Sequence, residues 1–217
     1  MADSSATQRF DFEAVEIMRY FAALLAIGAL LDGAMLLRRP AISSHLNWEA
    51  LGIDFGLVLL FGLQHSLMAR RAGRILFVIC SAAVIFLLVE VWQDSGPVLW
   101  VMPYYLSWLI AITGIVITGI AAATLGALEL IGLRDESPTS QFREPILHRY
   151  VRHPIYLGNI LLYFAVPIMT WDRLLLAVGL MVYILIGIQF EERGLVAKIG
   201  QPYRDYQRRV PMLLPWP

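Results

Sequence analysis

The chain has 217 residues, of which 59% are hydrophobic and only 16% charged, with a mean hydropathy of +0.66. A soluble domain carries roughly a quarter charged residues, so this composition points to an integral membrane protein. The formal net charge of zero gives no support to a nucleic-acid partner, and a single cysteine, Cys80, excludes an intrachain disulfide and a cysteine-based metal site.

The N-terminal stretch MADSSATQRFDFEAVEI is polar and acidic. It lacks the basic start and cleavage site of a signal peptide, so the first apolar run is expected to be retained. That run is Met18 to Leu37, ending at Arg38 and Arg39. A second runs from Leu51 to Ala69, a third from Ile75 to Trp92, and a fourth from Met102 to Leu125 after the break QDSGP. Each approaches the roughly 20 residues a helix needs to cross a bilayer. Helices are the form in which such segments satisfy their backbone groups internally. A polar, proline-bearing stretch follows and reads as a solvent-side loop. Two shorter apolar runs, Ile155 to Thr170 and Leu174 to Phe190, are separated by WDR. At 1.5 Å per residue each spans about 24 Å, which predicts a tight helical hairpin that returns to its starting side.

The expected fold is therefore an all-α integral membrane protein. It has four transmembrane helices (1–125), a cytoplasmic loop (126–154), a short C-terminal helical hairpin (155–190) and a cytoplasmic amphipathic tail helix (191–217). Together these make five to six membrane segments in a single domain, 1–217. Fourteen of the 17 basic residues fall on the side of the N-terminus, the 70–74 loop, the 126–155 loop and the tail; Arg38, Arg39 and Arg173 fall on the other. The positive-inside rule turns the first side to the cytoplasm.

Pro154 suits the first position of a helix, with His153 near its cap. The returning leg ends at Glu191-Glu192-Arg193. With legs of similar length, RHPIY and EER should meet at the cytoplasmic edge, gathering Arg152, His153, Tyr156, Glu191 and Glu192. The same residue types serve as interfacial anchors or a structural salt bridge, so spacing leaves both readings open. In the second run, Asp54 and His65 lie eleven residues apart, sharing a helix face about 16 Å apart along the axis. Ionisable residues inside spans usually face the protein interior. Gln64, His65 and Ser66 lie at a depth from which they can approach the cluster.

The stretch YVRHPIYLG, an apolar hairpin, and then EERGLVAKIGQPYRDYQRRVP resembles the C-terminal half of the isoprenylcysteine carboxyl methyltransferase superfamily. The shared features are Arg-His-Pro-x-Tyr before the hairpin, a Glu-Glu pair after it, and Gly200, Tyr203 and Tyr206 in a Gly-x-x-Tyr-x-x-Tyr run. They cover Tyr150 to Pro211. LQHSLMAR, PIMT and VPMLLP are similar to the methanethiol S-methyltransferase and nitrite/nitric-oxide-regulation branch, although Ile146 and His148 stand where a Gly and a Tyr are usual. The resemblance implies S-adenosylmethionine as methyl donor in a cytoplasm-facing cavity of a bacterial inner-membrane protein. It carries donor contacts over to Arg152, His153, Tyr156, Glu191, Glu192 and Tyr203. Arg152 and the helix N-terminus suit the donor's carboxylate, and a glutamate suits its ribose or ammonium.

The expected reaction is methyl transfer to a small thiol such as methanethiol, giving dimethyl sulfide. Because the thiolate is the nucleophile, a base is needed, and His65, then His148, are the candidates. A prenyl-cysteine carboxylate or a lipid is the alternative acceptor. Outside enzymes, the alternatives are a non-catalytic carrier or structural protein, and a haem protein using His65 with His148 or His153. The histidine spacing matches no metal motif, so no metal is expected.

Overall fold

The computed structural model of the chain describes residues 42–71, 74–93, 96–125 and 144–214. The first apolar run, the Arg38–Arg39 pair, most of the 126–154 loop and the last three residues lie outside these. The described residues are mostly helical. Among the described residues, three helices are long and apolar enough to cross a membrane: Trp48–Met68, Tyr104–Thr124 and Trp171–Ile199.

Helix α1, Trp48–Arg71, begins where the Asn47 side chain accepts hydrogen bonds from the backbone N–H groups of Glu49 (3.1 Å) and Ala50 (3.2 Å). This satisfies two donors that a helix start leaves open. Helix α2, Arg74–Val91, matches the third apolar run. The chain then turns through Gly96, at φ +101, into strand β1, Val98–Val101. Helix α3, Tyr104–Leu125, starts after Pro103, whose carbonyl accepts from Leu106 and Ser107. Met102 and Pro103 of the fourth run are therefore not helical.

The C-terminal part departs from an equal-legged helical hairpin. Helix α4, Pro154–Phe164, has only 11 residues. Pro167 has no N–H to continue it, and its ring would strike the carbonyl four residues back. The chain instead extends into strand β2, Ile168–Thr170, which pairs antiparallel with β1 (Val98 with Thr170, Trp100 with Met169, Val101 with Ile168). This ribbon is absent from an all-α reading. Helix α5, Trp171–Ile199, then runs 29 residues without a break at Glu191. It spans about 43 Å, more than the roughly 30 Å hydrocarbon core. The two legs still meet at one level, because extended chain rises about 3.3 Å per residue against 1.5 Å in a helix. Eleven helical residues, the connection 165–167 and the three residues of β2 bring the chain from His153 to the start of α5, which reaches back to the same level at Glu192.

The tail is also not one helix. Its first nine residues complete α5, and Gly200, at φ +78, breaks the chain before helix α6, Gln201–Arg209. Tyr203 and Tyr206 of α6, with Val210 beyond its end, pack back onto Leu195, Val196 and Ile199.

The core joins Leu57 and Phe61 of α1, Leu88 of α2, Tyr156 and Tyr163 of α4, and Leu180, Ile184 and Ile188 of α5. Helix α3 approaches α4 through Gly114 and Gly158: a Cβ on Gly114 would lie 2.6 Å from the Gly158 carbonyl oxygen. Small residues let apolar helices meet this closely where the lipid offers no hydrophobic drive. At the end of the bundle away from Glu191, Asp54, Asp172 and Arg173 are buried. Asp54 accepts the Gln93 N–H at 2.9 Å, Asp172 the Trp92 indole N–H at 3.4 Å, and Arg173 donates to the Ile168 carbonyl at 3.0 Å. These bonds tie α1, α2, α5 and the ribbon together.

Candidate active site

RHPIY and EE do meet. Glu192 lies at the centre: its Oε1 is 2.6 Å from Arg152 Nε and 3.0 Å from His153 Nε2, and its Oε2 is 3.2 Å from Arg152 Nη2. The fork-to-carboxylate geometry is that of a bidentate ion pair. Gln207 adds a bond from its side-chain amide to Glu192 Oε2 at 2.8 Å. Arg152 Nη1 donates to the carbonyls of Gln207 (3.0 Å) and Val210 (2.6 Å), satisfying groups at the end of α6. The backbone N–H groups of Arg152 and His153 donate to Pro211 and Met212. Four of the five guanidinium N–H donors are thus engaged within the protein.

Glu191 has a different setting. Its Oε2 accepts the Tyr156 hydroxyl at 2.8 Å and lies 3.9 Å from His153 Nδ1. Its side chain is 29% exposed against 11% for Glu192. The rings of His153 and Tyr156 stack at 5.4 Å with 22° between their planes. Their positions follow from local structure: Pro154 opens α4, so His153 is its cap and Tyr156 lies in its first turn.

Tyr203 is buried and faces both glutamates; burial, then the nearby charges of Glu192 and Glu191, push its hydroxyl well above the ordinary range. Tyr206 is pushed up to about 12, first by burial and then by Glu144, and its hydroxyl donates to the His148 carbonyl at 2.6 Å. His148 lies on a 3-10 turn, Ile146–Arg149. Burial, then the proximity of His153, lower its imidazole to about 4. His65 is buried on α1, its ring stacked on Phe61 at 6.0 Å and edge-on to Tyr183 at 5.8 Å. Tyr183 is in turn near enough to Tyr156 to act on it electrostatically. Among the described residues, no group of three or more His, Cys, Asp or Glu could hold a metal ion.

Three contributors escaped the sequence reading. Gln207 and the carbonyls of residues 210–212 close the cluster from the tail, and Tyr183 bridges toward His65. Only the Tyr-x-x-Tyr spacing of α6 hinted that the tail packs inward, and nothing in it marks Gln207.

A family model described as a protein of unknown function, DUF1295, matches residues 64–210. The chain belongs to this family. It is 36% identical to methanethiol S-methyltransferase 2 of Bradyrhizobium diazoefficiens over 77% of this chain and 74% of that one. It is 35% identical to the methanethiol S-methyltransferase of Mycobacterium tuberculosis, over 78% and 80%. Nurim of Xenopus laevis is 29% identical over 79% and 72%. No solved structure matches. The DUF1295 chain thus sits in the isoprenylcysteine methyltransferase-like branch, and its relatives support a membrane methyltransferase. The family match covers every side chain of the polar cluster, from His65 on α1 to Gln207 at the tail.

Proposed function

We propose that this protein is an S-adenosylmethionine-dependent membrane methyltransferase that methylates a small thiol, methanethiol being the first candidate and dimethyl sulfide its product. The thiol comes from the names of the relatives. The observation that carries the donor assignment is Glu191: a partly exposed carboxylate, held by Tyr156 beside a stacked His153–Tyr156 pair.

Those residues fit the donor. An ionised carboxylate with accepting capacity left suits the ammonium or the ribose hydroxyls, and the Tyr156 ring with its apolar neighbours suits a flat base. Arg152 suits the donor's carboxylate less well than its residue type suggests, since Glu192 and two tail carbonyls already engage it. We assign Arg152 and Glu192 to holding the site together, and Glu191, Tyr156 and His153 to facing the donor, with Tyr203 closing the pocket behind the glutamates. When bound, S-adenosylmethionine supplies an electrophilic methyl group on a sulfonium. The chain's part is to orient the acceptor sulfur in line with that methyl, to keep water away, and to take the thiol proton. The cluster faces the cytoplasm of a bacterial inner membrane in this reading, because basic residues gather at its end of the chain.

The test is methyl transfer from labelled S-adenosylmethionine with purified protein in detergent, offered methanethiol, a longer alkyl thiol, a prenyl-cysteine and phosphatidylethanolamine. Volatile labelled thioether is the expected product. Label in the prenyl-cysteine or the lipid alone would keep methyl transfer and discard the small thiol.

A further inference from the structure

Building on the thiol-methylation reading, we propose that His153 is the proton acceptor for the incoming thiol, with Glu192 as the positioning residue that leaves its Nδ1 open. Glu192 Oε1 is shared by Arg152 Nε and His153 Nε2. A carboxylate gripped by a guanidinium only accepts hydrogen bonds, so the imidazole proton resides on Nε2. The lone pair is then on Nδ1. That nitrogen is 3.9 Å from Glu191 Oε2, beyond hydrogen-bond length, and the same oxygen already accepts from Tyr156. Stacking on Tyr156 fixes the ring plane. Nδ1 is therefore aimed at the side of the cluster where Glu191 and Tyr156 lie, the side assigned to the donor.

This is the arrangement in which a carboxylate holds an imidazole in one tautomer so that the opposite nitrogen can take a proton. The other histidines fit it less well. His65 is packed between Phe61 and Tyr183. His148 is held neutral down to about 4 and is a weak base at neutral pH. The charged and titratable groups around His153 are Glu191 and Glu192 from α5, Arg152 and Tyr156 on either side in sequence, and His148 from the 3-10 turn, with Tyr203 of α6 beyond the two glutamates.

In the step, the thiol S–H bond breaks and its proton passes to Nδ1. The bonding pair stays on sulfur as the thiolate, which takes the methyl group while the sulfonium C–S pair returns to the donor sulfur. The imidazolium, flanked by two carboxylates, then releases its proton to cytoplasmic water.

Two acceptors separate this role from donor binding: an alkyl thiol, protonated at pH 7, and an aryl thiol already ionised there, which needs no base. His153→Gln keeps a side-chain N–H for Glu192 but has no basic nitrogen. At saturating donor it is expected to lose about 100-fold or more in turnover with the alkyl thiol and far less with the aryl thiol, whatever change in donor affinity accompanies it. Equal loss with both acceptors overturns the proposal, as does a loss confined to the alkyl thiol in His65→Gln rather than in His153→Gln. A readout independent of activity is the nitrogen NMR spectrum of histidine-labelled full-length protein. His153 is expected as the Nε2–H tautomer, with that signature lost in Glu192→Gln; a proton on Nδ1 in the wild type overturns the proposal. The tautomer measurement and His65→Gln decide the matter if His153→Gln fails to fold. A wild-type protein that binds the donor yet methylates neither thiol overturns the thiol reading itself, an outcome distinct from any loss confined to a variant.

Discussion

Glu191 and Glu192 are chemically identical neighbours, yet a helix turns about 100° per residue and sends them to different partners. Glu192 meets Arg152, His153 and Gln207; Glu191 meets Tyr156 and remains partly exposed. Their substitutions should separate accordingly. Glu192→Ala leaves the Arg152 guanidinium without its carboxylate, which costs about 3–5 kcal/mol at a buried pair, so the unfolding midpoint in detergent is expected to fall sharply. Glu191→Gln should leave that midpoint nearly unchanged. It should raise the donor KM about 10- to 100-fold, the worth of one hydrogen bond to a charged group; an unchanged KM would remove Glu191 from the donor site. His148 makes the pH prediction. Its folded value, about 4, is below the ordinary 6.5, so the unfolded chain binds the proton more readily. Its contribution to stability is complete above pH 6.5 and is lost as pH falls through about 4. His148→Gln should flatten the wild-type loss of stability over that window in a thermal-unfolding series. The identities of the cluster residues were legible in the motif, because residue type is local. Their partners were not, since Gln207 reaches Glu192 across the α5–α6 turn.

At the scale of elements, helix positions followed hydropathy closely and helix ends did not. Length and apolarity placed α1, α2 and α3 within a few residues. The long apolar run after Pro154 looked like one helix because composition does not distinguish a helix from a buried extended strand. Pro167 was the available signal, and pairing with β1 is what makes the extended form stable. Gly200 similarly marked the break that separates α5 from α6. The α3–α4 contact provides a packing test. A Cβ at Gly158 would overlap Thr118 and stand 2.6 Å from the Gly114 carbonyl, whereas Gly119 has nothing within 4 Å. Gly158→Ala is expected to destabilise by about 1–3 kcal/mol and to weaken donor binding by shifting the helix that carries Tyr156. Gly119→Ala on the neighbouring turn should change neither.

For the whole molecule, apolar side chains line much of the outside, Leu109, Ile112, Ile115 and Val116 of α3 being about half exposed or more, as expected of surfaces turned to lipid. One end carries the ionic cluster and the basic α6; the other carries the ribbon and the buried Asp54 and Asp172. In a Cys80→Ser background, a cysteine at exposed Arg208 should label from the cytoplasmic side only and one at exposed Val101 from the opposite side only. Labelling of both from one side would rule out the spanning orientation. The sequence by itself determined the membrane class, the places where helices run and the residues of the polar cluster, because hydropathy, length and motif are properties of neighbouring residues. Only the tertiary structure decided that Arg152 is engaged by Glu192 and the tail, that the two glutamates part company, and that an extended ribbon brings RHPIY level with them. Each of these depends on contacts between residues far apart in the chain, whose geometry no local pattern encodes.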